Sequence, residues 1–308
     1  MNNVFPNEAG LQLPRSLEKY ESNDYSFKTK FLAFIGACEF YSPEMWKAAF
    51  TELIATALLV FTLTTTIISC LDSHEVEPKL LVPLAVFIIA FLFLMVTVPL
   101  SGGHMSPIFT FIAALRGLVT LARAAIYVLA QCVGSIIGFV ILKKVMDHKT
   151  VQNHSLGGCT IDGNGATSAL SPVIALALEF VCTCVVLFVG VTVAFDKKRC
   201  KELGMAMVCV VVAGSIALAV FVSITVTGRA GYGGVGLNPA RCLGPALLHG
   251  GKLWDGHWVF WVGPFFACIA YYCYSMNLPK EEEEYDILRL GWACFGKNYD
   301  PTNLQERV

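Results

Sequence analysis

Two carboxylates stand alone inside long apolar stretches, Glu52 in the first and Glu179 in the fourth. Each opens the same pattern, E-x-x-x-T, as Glu52-Leu53-Ile54-Ala55-Thr56 and Glu179-Phe180-Val181-Cys182-Thr183. An ionisable group in such surroundings needs partners and marks a centre of function or support. Two short motifs follow in the same order, Ser106-Pro107-Ile108 and then Asn238-Pro239-Ala240. Ser and Asn side chains accept hydrogen bonds from the free N–H groups of a helix start, and proline suits the next position because its missing N–H is not needed there. Gly117 and Gly250-Gly251 close the two segments, leaving helices too short to cross a bilayer. They read as re-entrant half-helices, whose backbone persists at membrane depth only inside protein or beside a water-filled cavity. The carboxylates would then hold that backbone by accepting its N–H groups. Inverted symmetry would bring the two half-helix starts together at mid-membrane, where their positive dipole ends would repel cations, and Arg241 lies next after the second motif at that depth.

The elements that must carry these residues follow from composition. The 308 residues are 56% hydrophobic and only 15% charged, with 22 basic and 23 acidic side chains. Soluble domains carry about 25% charged residues, and a mean hydropathy of +0.63 leaves too few polar groups to coat a water-facing surface. Disordered, collagen-like and ordinary soluble classes are excluded. The net charge of −1 offers nothing to nucleic acid. Six apolar windows are each long enough to span a bilayer: Ala48–Cys70, Leu80–Leu100, Ala124–Leu142, Val173–Phe195, Leu203–Val226 and His257–Met276. Lys197, Lys198, Arg199 and Lys201 crowd the fourth connection, whereas the first holds Asp72, Glu75 and Glu77. The positive-inside rule puts that fourth connection and both tails in the cytoplasm.

The carboxylate motifs and the proline motifs repeat at nearly one offset, which points to duplication. Three spans per half make the halves insert with opposite orientation, an architecture of channels and transporters. The expected division is a tail over 1–45, a membrane domain over 46–278 (repeats 46–145 and 171–278) and a tail over 279–308. A passive channel and a coupled transporter both remain open, the latter requiring Glu52 and Glu179 to coordinate an ion. The spans hold no Ser/His pair, no paired aspartates and no zinc-ligand spacing, so no catalytic residue, metal or cofactor is expected.

Other features carry less. Asn153-His154-Ser155 is a glycosylation acceptor on the third connection. The twelve cysteines suggest neither a metal nor a disulfide framework, with Cys159 a candidate link between protomers. His104 reads as a loop-packing histidine, and Trp254, Trp258, Phe260 and Trp261 as an interfacial anchor for the sixth span. Gly231–Gly236 spells G-x-G-x-x-G without the strand that a dinucleotide site requires. Glu281–Glu284 reads as a solvated tail.

From Trp46 to Met276 the chain resembles the aquaporin (major intrinsic protein) family. The residues that carry this are Glu52–Thr56, Ser101-Gly102-Gly103-His104, Arg123–Gln131, Glu179–Thr183, Asn238–Arg241 and Trp261-Val262-Gly263-Pro264. Within the family it looks like the plant X intrinsic proteins, on Cys242 after Asn-Pro-Ala-Arg and on Ser-Pro-Ile where most members have Asn-Pro-Ala. The resemblance implies an all-α membrane fold of six transmembrane helices and two re-entrant half-helices in inverted repeat. It implies a homotetramer in the plasma membrane, with one pore per protomer. It also places a selectivity filter at Val86, Val220, Val235 and Arg241, and a central constriction at Ser106, Pro107, Ile108, Asn238, Pro239 and Ala240. Three valines and an arginine would form a wide, mostly apolar ring with one strong donor. Such a ring suits glycerol, urea, boric acid and hydrogen peroxide, with weak water flux; a water-selective pore is the alternative.

Overall fold

The computed structural model describes residues 35–73, 78–161, 170–226 and 234–277. Glu75, Glu77, Glu281–Glu284 and Gly231 to Gly233 lie outside the described residues. Among the described residues the chain forms six membrane-length helices: α1 (Pro43–Leu71), α2 (Pro78–Ser101), α4 (Leu121–Val145), α6 (Pro172–Phe195), α7 (Lys197–Val226) and α9 (Val259–Met276). Two half-helices, α3 (Pro107–Leu115) and α8 (Pro239–His249), and a short surface helix, α5 (His148–Asn153), complete the set. This is an integral membrane protein with the expected six spans.

The starts follow from local chemistry. Ser42, Ser106, Ser171 and Asn238 each precede a proline and accept from backbone N–H groups one or two residues beyond that proline, fixing the starts of α1, α3, α6 and α8. Glycines then let the spans approach closely. A Cβ on Gly134 or Gly138 of α4 would fall onto Leu53 O or Ala57 O of α1. In the second repeat, a Cβ on Gly263 of α9 would lie 2.8 Å from Glu179 Cβ and 3.1 Å from Leu176 O of α6, a looser approach. Small residues at such crossings are how membrane helices gain packing without a hydrophobic drive between them.

The fourth connection is a short helical stretch: Asp196 accepts from Arg199 N, and its cations precede a break at Gly204, with φ 72°, beyond which the fifth span runs. Two expectations are corrected. Phe260 is core, 1% exposed, while Trp254 and Trp258 remain half exposed as anchors. Most importantly, two of the twelve cysteines are paired. The third connection folds back over α8, bringing Cys159 and Cys242 to a Cα separation of 5.1 Å in a disulfide. Cys159 is thus consumed within the chain and is not a link between protomers.

Candidate functional site

Each buried carboxylate holds the backbone that leads into a half-helix. Glu52 Oε1 accepts from Ser101 Oγ at 2.6 Å and His104 N at 3.1 Å, and Oε2 accepts from Met105 N at 2.6 Å and Gln131 Nε2 at 2.8 Å. Glu179 accepts from Gly236 N at 2.6 Å and Leu237 N at 3.2 Å. Met105 and Leu237, each just before a cap, sit in the left-handed region, with φ of 47° and 53°. That conformation is costly for a side-chain-bearing residue and persists where surroundings over-determine it. The repeats differ around the carboxylates: where Gln131 reaches Glu52, the second repeat sets Gly263 against Glu179.

The two half-helix starts meet. Asn238 Oδ1 accepts from Ala240 N and Arg241 N, while Nδ2 crosses to Met105 O at 2.9 Å. Ser106 Oγ accepts from Ile108 N at 3.3 Å. Serine has no amide to return the crossing, and no bond from Ser106 to Leu237 exists among the described residues. Ile108 is accommodated: it is 2% exposed, packs with Ile112, Leu187 and Cys268, and takes a weak thiol bond from Cys268. Pro107, Pro239 and Ala240 are buried.

A cavity of about 120 Å³ runs past this junction. Val86, Val220, Val235 and Arg241 all line it, together with Ser106, Ile108 and Asn238. Gly103 and Gly236 also line it and can contribute only main chain, so polar backbone interrupts an otherwise apolar wall. His104 is half buried, bonds Thr110 Oγ1 at 3.1 Å and packs edge-on against Tyr127. Arg241 donates from Nη1 to Cys159 Sγ at 3.1 Å and from Nη2 to Gly157 O at 3.3 Å, while its Nε is buried without a partner. Of five donor hydrogens, two are therefore engaged, leaving capacity for a solute oxygen. Thr183 Oγ1, on the cavity wall, is likewise buried and unpartnered. Asn153 ends α5 on the surface, exposed.

Sequence reasoning missed Gln131, Gly157, Cys159 as an Arg241 partner, and Thr183 as a wall residue. Gln131 and Thr183 fell inside quoted motifs, and that was the only signal; the Cys159 contact depends on how the third connection folds.

Comparison with known proteins agrees with this geometry. The major intrinsic protein family profile matches residues 39–274. An aquaporin of Musa acuminata, PIP2-7, is 33% identical over 76% of this chain and 82% of its own. The probable aquaporin PIP2-5 of Arabidopsis thaliana is 31% identical over 77% and 83% respectively. The aquaglyceroporin of Plasmodium falciparum shares the fold, with a TM-score of 0.62, covering 76% of this chain and 96% of its own at 18% identity.

Proposed function

The chain belongs to the major intrinsic protein family, a family of membrane channels rather than enzymes, and from that premise we propose a passive pore for small uncharged solutes. Glycerol, urea, boric acid and hydrogen peroxide are the solutes, with water a weaker permeant. The observation that carries this reading is the composition of the wall: Val86, Val220 and Val235 line the cavity together with Arg241. An apolar wall favours a solute with a carbon or boron body. A solute hydroxyl can answer the unfilled donors of Arg241, whereas a water molecule entering the ring finds few partners for its other hydrogen bonds. The fixed cation of Arg241 and the two half-helix N-termini oppose the passage of protons and metal cations.

The names of the plant relatives favour a second reading, a water-selective pore. The ring argues against it, because three valine side chains offer a passing water no hydrogen bonds. A coupled transporter is disfavoured because the carboxylates that would have to bind an ion are engaged with backbone N–H groups.

The same reading takes a homotetramer in the plasma membrane, with lipid around it and both termini in the cytoplasm. The cluster Lys197, Lys198, Arg199 and Lys201 on the fourth connection supports that orientation, against which Lys143, Lys144 and Lys149 on the third connection count only in part. Cys242 after Asn238-Pro239-Ala240-Arg241, with Ser106-Pro107-Ile108 as the first motif, supports placement among the X intrinsic proteins. Uptake of labelled glycerol and urea into proteoliposomes, with and without sodium and proton gradients, tests the proposal. Gradient-independent equilibration is expected; accumulation against a gradient would overturn it.

A further inference from the structure

We propose that the Cys159–Cys242 disulfide is a specificity-determining strap, holding two sides of the solute ring at their spacing, so that opening it admits larger solutes. The inference rests on the channel reading above. Both ring positions on the second half-helix side touch this bond through immediate chain neighbours. Cys242 directly follows Arg241, and Gly236 directly follows Val235. A Cβ on Gly236 would press on Cys242 Sγ and lie 3.3 Å from Cys159 Sγ, so the Val235–Leu237 backbone lies directly against the disulfide. The other flank of that backbone is bonded to the Glu179 carboxylate.

The strap also places the guanidinium. Arg241 Nη1 meets Cys159 Sγ and Nη2 meets Gly157 O, both on the segment that the disulfide anchors. The middle of that segment carries backbone strain. Ser155 and Leu156 lie in the left-handed region, with φ of 46° and 54°. The His154–Asp72 pair, at 2.9 Å, has an Asp72 side chain that is 54% exposed, and such pairs contribute little. Burial of Val151 and Leu156 against Val60 and Phe139, and of Ile161 beside Leu170, Val259 and Phe260, also holds it from its two ends. Without the covalent bond, the two acceptors of Arg241 lose their direct link to α8, and the ring loses the bond that sets the spacing of these two sides. The disulfide itself is enclosed, with Cys159 6% and Cys242 1% exposed beside Val259 and Phe260. A dithiol reductant would break the S–S bond by transferring two electrons and two protons to yield two thiols, itself closing to a cyclic disulfide.

The experiment uses full-length protein in liposomes, as wild type, Cys159→Ser and Cys159→Ala/Cys242→Ala, with the wild type also treated with dithiothreitol and then reoxidised. The readout is the flux ratio of erythritol to glycerol, which a loss of folded protein would not move. The ratio is expected to rise several-fold in both variants and on reduction, and to return on reoxidation. Mass spectrometry of a non-reduced digest should find the peptides holding Cys159 and Cys242 joined. An unlinked pair, or an unchanged ratio in variants that melt like the wild type, overturns the proposal while leaving the channel reading standing. A wild type that passes neither solute overturns the channel reading, and the strap with it. If the single variant fails to fold, the double variant and the reduced wild type decide the same ratio.

Discussion

Removing the Glu179 carboxylate separates scaffold from transport machinery. In Glu179→Ala the N–H groups of Gly236 and Leu237 lose acceptors now 2.6 and 3.2 Å away, where neither lipid nor bulk water replaces them. A buried donor left unpaired costs ~1–3 kcal/mol, so the pair costs ~2–6 kcal/mol. Glu52→Ala strands the equivalent N–H groups of His104 and Met105, and also the Ser101 and Gln131 side chains. Those two side chains have alternatives, because Ser101 Oγ lies 3.4 Å from Thr97 O and Gln131 Nε2 lies 2.9 Å from Thr110 Oγ1. The excess cost of Glu52→Ala is therefore only ~1–2 kcal/mol. Against a total stability of ~5–15 kcal/mol, either loss is large. At ~2–4 °C per kcal/mol, Glu179→Ala should melt roughly 5–20 °C below wild type in detergent, and Glu52→Ala a few degrees lower still. Tryptophan fluorescence on heating, paired with solute flux at a permissive temperature, is the assay. A Glu179→Ala protein with wild-type melting and no flux would refute the scaffold role and restore the ion-coupled transporter.

Three further outcomes follow from the site. Val220→His puts a ring and a donor where a valine lines the cavity, and should depress glycerol and boric acid flux more than water flux in stopped-flow traces. Ser106→Asn keeps the cap and adds an amide able to return the crossing that Asn238 makes to Met105 O, so oligomer size on gel filtration should be unchanged and the melting temperature equal or higher. Asn153 is exposed at the end of α5, so protein from a glycosylating host should shift on gels after N-glycosidase, and Asn153→Gln should abolish that shift.

What was legible in the sequence was whatever chemistry is local. Spans announce themselves because a bilayer demands long apolar runs, and half-helix starts because Ser106-Pro107 and Asn238-Pro239 carry their own caps. The role of Glu52 and Glu179 as acceptors for re-entrant backbone followed from the absence of water there. The quartet of valines and arginine was reached through a resemblance, and all four residues line one cavity. The disulfide was not legible, since 83 residues separate its cysteines and their meeting depends on how the third connection drapes over α8. Nor was the asymmetry between Gln131 and Gly263, which lie on spans whose apolar pattern says nothing about what faces a carboxylate.

The most direct test of the solute-pore account is stopped-flow light scattering of wild-type proteoliposomes under separate gradients of water, glycerol, urea and boric acid. The account predicts that the protein accelerates entry of the three solutes well beyond empty liposomes, with a smaller gain for water. Accelerated water flux with solute entry no faster than through bare lipid would contradict it.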